Sequence, residues 1–275
     1  MLRSGSSFQL LPVLETEAPL ISDSDLTFSL QALGVPEESL LCLANQEFPD
    51  LVKQAHRIQK RSGAQLFRAN TAGASLSELE PLGWEDRCEA LNNSGRALLK
   101  EALGNQGIQA GVIRAVASET QASLREAAYG NQAVYLSDTR ADLIWLRDFP
   151  SVAELRLALR VLKRVSQTEI IASLKPQTFS EEVLQELPEL LRVGANYLGL
   201  QGAADHPELT SSLKALVDTI GVVGIELDER PSQPAPSAEF EQVLAAVLDL
   251  GVAWVALGAH TTPDHVRLAR KLRDL

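Results

Sequence analysis

Short β-rich runs alternate with helical patterns along almost the whole chain, and this order limits the possible folds more than any other feature. Such alternation is typical of a parallel sheet covered by helices, because each return to a parallel neighbour needs a long crossover. Eight strand–helix pairs can be counted, which predicts the α/β class and a single-domain (β/α)8 TIM barrel over residues 1–275. The predicted strands are Pro19–Ser22, Ala64–Ala69, Gly107–Ile113, Asp142–Leu146, Glu169–Leu174, Tyr197–Leu200, Gly221–Glu226 and Ala253–Leu257.

The segments between these strands have the apolar period of helices. In Ser151–Val165, apolar residues recur at three- and four-residue steps and so form one stripe on a helix. Glu241–Leu250 follows the same rule, and Thr262 before Pro263 is a typical cap and first residue of a closing helix. These stripes and caps predict helices that face the barrel.

Two segments predict loops, Gly34–Gln46 and Asp228–Ala238. The second is rich in Pro and Ser and follows the seventh predicted strand. Ligands of such barrels bind among the loops that follow the strands. The second loop could therefore cover the mouth of the barrel.

The composition indicates a soluble globular protein without a nucleic-acid partner. Hydrophobic residues make up 45% of the chain and the formal net charge is −11, whereas phosphate binding requires clustered Lys and Arg. Apolar runs of membrane-span length are missing from the sequence. The two cysteines, Cys42 and Cys88, are too few for a disulfide framework and suit a reducing compartment. We therefore expect a cytoplasmic protein with no membrane partner.

Five segments carry a set of motifs in a fixed order. Residues 23–34, DSDLTFSLQALG, match without a gap the first-strand pattern D-G-A-M-G-T-E-L-Q-x-x-G, with Asp23 on its Asp. Asn70 and Thr71 match a second pattern, T-N-T-F-G-A. These patterns belong to the homocysteine S-methyltransferase family, which the chain resembles over almost its entire length. The remaining similar segments are Leu82–Asp86, Asp148–Leu155 and Val252–Val266.

The resemblance implies a zinc-dependent chemistry whose ligands this chain lacks. In the family, three cysteines hold a zinc ion that binds the homocysteine sulfur and presents it as a thiolate to a methyl donor. The matching positions here are Gly202 after the sixth strand and Gly258 and Ala259 after the eighth. Their side chains cannot bind a metal, and Cys42 and Cys88 lie elsewhere in the sequence. We expect no cofactor.

Charged residues replace other parts of the family's binding site. The family's Glu after strand four, which helps to hold the amino-acid substrate, corresponds to Arg147, and its small residues after strand seven correspond to positions from Leu227 to Arg230. Because strand ends line the mouth of such barrels, a small carboxylate or phosphate ligand could bind there, with Arg147 as its partner. The predicted ligand-binding residues are Asp23, Asn70, Thr71, Arg147, Asp148, Gln201, Glu226 and Asp228.

Two other interpretations of the mouth remain open. Arg147 could form an internal salt bridge to Asp148, Asp23 or Asp228, and Asn70 and Thr71 could serve only to turn the chain. A substitute metal site is the other possibility.

That substitute site would use His206 and His260, which lie in the loops after strands six and eight. Asp205 or Asp23 could add a carboxylate, and zinc would then be the cofactor. Without a close-spaced motif, however, the two histidines are also typical of solvent-facing loop residues.

Together these patterns predict a degenerate homocysteine S-methyltransferase-like protein, a pseudoenzyme that acts as a binding or regulatory partner. Its partner would be an unidentified protein or a small carboxylate or phosphate ligand. The alternatives are an enzyme of changed specificity that uses the charged mouth, and a homocysteine S-methyltransferase with a histidine-based metal site. The sequence does not decide whether the chain is an enzyme.

Overall fold

Eight parallel strands form one nearly closed barrel in the computed structural model, which describes residues 18–37, 40–229 and 235–275. Their order is β1-β8-β7-β6-β5-β4-β3-β2, and an isolated bridge between Ser22 and Leu66 brings β1 back to β2. The predicted (β/α)8 barrel is confirmed. The strands are β1 Leu20–Ile21, β2 Leu66–Arg68, β3 Ile108–Arg114, β4 Leu143–Phe149, β5 Glu169–Leu174, β6 Tyr197–Ala203, β7 Val223–Asp228 and β8 Trp254–Leu257.

Helices cover the outside of the barrel and bury their apolar stripes against the strands. Ser151 accepts a hydrogen bond from the Glu154 amide at the start of its helix. Thr262 caps the closing helix, as the sequence predicts. None of the described helices is long and apolar enough to cross a membrane. The described helices are α1 Leu26–Ala32, α2 Ala44–Glu47, α3 Pro49–Arg61, α4 Leu76–Leu79, α5 Cys88–Leu103, α6 Ala122–Asp138, α7 Val152–Val165, α8 Glu181–Glu186, α9 Glu189–Val193, α10 Leu209–Ile220, α11 Ala238–Asp249 and α12 Pro263–Arg273.

The predicted loops differ from the observed chain in two places. Residues 34–46 were expected to be irregular, but they contain the 3-10 turn Leu41–Leu43 and the start of α2. Asp228 ends strand β7 instead of opening a loop. Residues 230–234 lie outside the described part of the chain, so the predicted cover over the mouth stays a prediction.

Aromatic side chains fill the interior of the barrel near the amino ends of the strands. Trp145 and Trp254 meet edge to face, with ring centroids 6.5 Å apart, and both are fully buried. Gly224 makes room for them, because a Cβ atom there would lie 1.8 Å from Cε2 of Trp254. The amino end is therefore a packed core, and polar groups collect at the opposite end.

Candidate functional site at the barrel mouth

Charged side chains converge at the carboxyl ends of the strands because alternate strand residues point inward. Arg68 on β2, Arg114 on β3 and Arg147 on β4 occupy inward positions, and Arg114 and Arg147 are register partners. Lys175 follows β5, and Glu226 belongs to β7. Four consecutive strands thus bring cations to one half of the mouth, while carboxylates stand opposite.

Arg68 forms the floor of the mouth. Its Nε donates to Asp23 Oδ1 at 2.8 Å, and its Nη1 donates to Glu226 Oε1 at 3.0 Å. Its Nη2 donates to two carbonyl oxygens, that of Asp23 at 2.7 Å and that of Leu257 at 2.6 Å. All the polar groups in this cluster are buried, so the charges depend on each other for solvation.

Glu226 also holds Arg147. Nε of Arg147 donates to both carboxylate oxygens, at 2.7 and 2.9 Å, and Nη2 contacts Oε1 as well. Burial raises the pKa of Glu226 above its usual value, although the guanidiniums of Arg147 and Arg68 lower it and so offset part of the rise. Burial lowers the pKa of Arg147, but the carboxylates of Glu226 and Asp148 raise it above its usual value. An internal salt bridge of Arg147 was one of the predicted alternatives, but its hydrogen-bonded partner is Glu226 and not the three aspartates considered there.

Asp148 lies at the rim of the mouth between two cations. Its Oδ2 lies 3.4 Å from Nε of Arg114, and its Oδ1 lies 3.6 Å from Nζ of Lys175. Gln201 donates to the same Oδ1 at 2.8 Å. Burial raises the pKa of Asp148, but Arg147, Arg114 and Lys175 lower it below its usual value. The Asp148 side chain is therefore a carboxylate at neutral pH.

The backbone of Asp148 is in the left-handed region, with φ of 60°. The register between β4 and β5 shifts between Leu146 and Phe149, which is typical of a β-bulge. Left-handed backbone is uncommon outside glycine, although Asp and Asn tolerate it best. The irregular strand end turns the Asp148 carboxylate toward the rim contacts.

Lys175 connects this rim to the floor. Its Nζ donates to Asp228 Oδ2 at 2.8 Å, and Asp228 Oδ1 accepts from the Ala259 amide at 2.8 Å. Burial lowers the pKa of Lys175, but the carboxylates of Asp228, Asp148 and Glu226 raise it above its usual value. Lys175 is consequently a cation that binds anions and not a neutral nucleophile.

A cavity of about 480 Å³ opens above these groups. Ligand pockets commonly have volumes of roughly 300–1,000 Å³, so a small molecule fits. The side chains of Arg114 and Lys175 face it while 48% and 39% exposed, and Arg147 is 15% exposed. The cavity is lined by Asp23, Ser24, Asp25, Leu26, Thr27, Leu41, Arg68, Ala69, Asn70, Ala72, Val112, Arg114, Arg147, Asp148, Lys175 and Ala259.

Asn70 and Thr71 form hydrogen bonds within the chain, and both of their predicted roles stay predictions. Asn70 Nδ2 donates to the Leu41 carbonyl at 2.7 Å, although the residue also lines the cavity. Thr71 Oγ1 donates to the Val112 carbonyl and accepts from the Val112 amide, both at 2.9 Å. Thr71 is fully buried between strands β2 and β3.

The three positions predicted to match the family's zinc cysteines, Gly202, Gly258 and Ala259, have no side-chain ligand for zinc. A Cβ atom on Gly258 would lie 2.0 Å from Asp228 Oδ1, so a carboxylate already fills that side-chain space. Gly202 was expected to follow β6 at the mouth, but it lies within the strand, and its Cβ atom would point toward Leu209 and Phe179 in the helix layer. Ala259 lines the cavity without a donor atom in its side chain.

We expect Gly258→Ala to lower the free energy of unfolding by about 2 kcal/mol, the range of overpacked cores. The added methyl group would displace the Asp228 carboxylate from the Ala259 amide and from Lys175. Urea titration of the variant measures the loss. Gly221→Ala is a contrasting variant, because its Cβ atom meets nothing within 4 Å and only its positive φ of 83° opposes the change. An unchanged stability for Gly258→Ala would contradict this packing.

The histidines and cysteines lie apart from this arrangement of charges. His206 contacts Phe179, with centroids 4.8 Å apart, and His260 contacts Phe28 at 5.6 Å. Within residues 18–37, 40–229 and 235–275, no group of three or more His, Cys, Asp or Glu side chains is arranged to hold a metal ion. Cys42 and Cys88 are buried, and burial raises the pKa of their thiols to about 12 and about 11.

Three cations of the mouth were missed in the sequence, namely Arg68, Arg114 and Lys175. Arg68 falls inside a predicted strand, while Arg114 and Lys175 directly follow one. Residues two apart on a strand lie on the same face. Arg68 therefore shares the inner face with Leu66, and Arg114 shares it with Val112. The same rule, applied within the second predicted strand and one residue past the ends of the third and fifth, would have found all three.

Comparison with known proteins agrees with the fold. The sequence profile of the homocysteine S-methyltransferase family matches residues 20–272. Methionine synthase from Mycobacterium leprae (strain TN) is 22% identical in an alignment of 260 residues that covers 82% of this chain and 21% of the relative, so the chain spans about a fifth of that protein.

Two solved structures share the barrel. The metallated homocysteine methyltransferase MmuM from Escherichia coli superposes with a TM-score of 0.80 at 17% identity, covering 95% of this chain and 99% of the other. A methyltransferase from Methanosarcina mazei gives a TM-score of 0.69 at 15% identity, covering 96% and 97% of the two chains. The profile match extends over nearly all of the described barrel, and the chain therefore belongs to the homocysteine S-methyltransferase family.

Proposed function

We propose that this family member binds a small polar ligand at the barrel mouth and does not carry out zinc-dependent methyl transfer. The observation that carries the proposal is the position of Asp228, whose carboxylate fills the side-chain space of Gly258. Lys175 and the Ala259 amide hold that carboxylate in place. A zinc-bound thiolate at this point would require the charged floor to be rebuilt.

The cysteine content supports the same conclusion. A site with three thiolate ligands needs three cysteines, and the sequence has two. Zinc binds the thiolate form, but burial raises the pKa of both Cys42 and Cys88 and so disfavours that form. Neither thiol lines the cavity at the mouth. We therefore do not assign zinc-dependent activation of homocysteine to this chain.

The cavity supports the binding role. It combines a volume of about 480 Å³ with charged groups that are only partly exposed, and such groups bind ligands more strongly than fully hydrated ones. The ion pairs below it hold Arg147 and Lys175 in fixed positions. A pre-formed arrangement of this kind reduces the ordering cost of binding.

Metal content and methyl transfer test the proposal together. We expect the purified protein to contain no stoichiometric zinc by elemental analysis, with or without added zinc. With homocysteine and sulfonium, betaine or methylcobalamin donors, methionine formation should equal the protein-free background. The E. coli homocysteine methyltransferase is the positive control. Zinc-dependent methionine formation above background would refute the proposal.

A further inference from the structure

Two cations at the mouth, Arg114 and Lys175, form only long contacts with the Asp148 carboxylate that lies between them. Arg114 has a half-exposed guanidinium, and its contact with Asp148 is long at 3.4 Å. The contact of Lys175 with the same carboxylate is longer still, at 3.6 Å. Charge-assisted hydrogen bonds are normally about 2.7–2.9 Å long. Both cations can therefore approach another anion more closely than they approach Asp148.

Asp148 occupies the place that an anion from solution would take. One carboxylate lies between Arg114 and Lys175 on neighbouring strand ends, within a backbone that has φ of 60°. Strained backbone of this kind persists where the surroundings hold it, often at ligand sites. Gln201 bonds both the amide and the carboxylate of Asp148, so this residue has a partner that does not depend on the cations.

The carboxylates on the opposite side have partners of their own, and Asp228 shares Lys175 with Asp148. Asp23 and Glu226 are held below by Arg68, and Asp228 by the Ala259 amide. Arg147 directs its Nε and Nη2 at Glu226, while the residue still lines the cavity. The partly exposed cations that face the cavity therefore lie at the ends of β3, β4 and β5.

We propose that the ligand is a small dianion, a phosphate monoester or a dicarboxylate, bound between Arg114, Arg147 and Lys175 in place of the Asp148 carboxylate. The inference rests on the proposed function and names its ligand class. One ligand charge would replace the Asp148 carboxylate between Arg114 and Lys175, and the other would face Arg147, while Lys175 keeps its contact with Asp228. Arginine forks suit phosphate and carboxylate groups because both accept two parallel hydrogen bonds.

Isothermal titration calorimetry with inorganic phosphate and with malonate tests the inference on the full chain. The titrations are run at low ionic strength and at about pH 7.5, where phosphate groups are mostly dianionic. Binding of phosphate alone identifies a phosphate ligand, binding of malonate alone identifies a dicarboxylate, and binding of both supports a common dianion site. Binding of neither overturns the inference. Chloride at matched ionic strength is the control for general screening.

Asp148→Asn is the most specific variant. Asparagine keeps the side-chain shape and tolerates the left-handed backbone, but it removes the internal negative charge. We expect it to bind the dianion roughly tenfold more tightly than the unchanged protein. Asp218→Asn on α10 alters the net charge equally at an exposed position and should leave the affinity unchanged. Equal affinities for Asp148→Asn and the unchanged protein would overturn the role given to Asp148.

Arg114→Gln supplies the opposite change. Because Arg114 is half exposed and only weakly bound within the chain, its loss should preserve the fold, as circular dichroism would verify. We expect roughly tenfold or greater weakening of dianion binding. The matched control is Arg164→Gln, an exposed arginine on α7 that pairs with Glu126. Undiminished binding by Arg114→Gln overturns the proposed site.

The outcomes separate this inference from the function on which it rests. If neither phosphate nor malonate binds and no methionine is formed, the dianion is not the ligand, but the proposal that the chain lacks zinc-dependent methyl transfer still stands. Zinc-dependent methionine formation would instead refute that assignment, whatever the titrations give.

Discussion

Glu226→Leu is expected to lower the free energy of unfolding by about 3–5 kcal/mol, the cost of removing one partner from a buried ion pair. Glu226 is fully buried and accepts hydrogen bonds from Arg68 and Arg147. Without its carboxylate, Arg147 loses its bonded partner, and Arg68 retains only Asp23 as a carboxylate. The leucine cannot replace these contacts, so two buried cations stay under-compensated.

Urea-induced unfolding followed by circular dichroism measures this effect, with the midpoint and slope fitted separately. Asp218→Asn also removes one negative charge, but from an exposed pair on α10, and should change the stability by less than about 0.5 kcal/mol. A loss below about 1 kcal/mol for Glu226→Leu would mean that the floor is hydrated and its charges are not mutually dependent.

The second large effect is a dependence of stability on pH that originates at His56. This residue is fully buried in α3, and neither ring nitrogen has a hydrogen-bond partner among the described residues. Burial, together with the nearby Arg96 guanidinium, lowers its pKa from 6.5 to about 3. The folded protein therefore keeps His56 neutral at pH values where the unfolded chain binds a proton.

The direction of the pH effect follows from this difference. The contribution of His56 to stability is fully present above pH 6.5 and is lost as the pH falls toward 3, because the unfolded state then binds more protons. At about 1.4 kcal/mol for each pKa unit, the loss approaches roughly 5 kcal/mol across that window. Other groups add their own dependence, so the comparison must be made with a variant.

His56→Leu isolates the contribution. Between about pH 7 and pH 4, we expect the decrease in unfolding free energy to be about 3 kcal/mol smaller for His56→Leu than for the unchanged protein. Urea titrations at several pH values measure both slopes. Leucine is a close match in size and has no polar atoms to leave without partners, so the variant should still fold. Parallel pH curves for the two proteins would contradict the assignment to His56.

The strands were predictable because their hydrophobic runs and spacing are local properties of the sequence. For the same reason Arg147 and Asp148 could be placed at the mouth, since both lie at the end of a strong β-rich run. The partner of Arg147 was not predictable in this way. Glu226 is 79 residues away in the chain, and only strand register and barrel tilt bring the two side chains together.

Gly202 illustrates a second limit. Its match to a family position gave the right strand, but the side-chain direction depends on parity within β6. A one-residue step moves a side chain from the inner face to the helix layer. Gln201 points into the mouth and bonds Asp148, whereas Gly202 faces Leu209. Alignment alone does not determine such a difference.

Arg68 in the floor of the mouth also connects strands at the junction of β1 and β2. This junction has one isolated bridge, between Ser22 and Leu66, where other neighbouring strands share ladders. Arg68 on β2 spans the junction because it bonds Asp23, which follows β1. It also bonds the Leu257 carbonyl at the end of β8. The same guanidinium reaches Glu226 on β7, so Arg68 links the carboxyl ends of β1, β2, β7 and β8. A cysteine at Gly258 would crowd the Glu226 carboxylate that Arg68 bonds, and would therefore weaken this link between the strand ends.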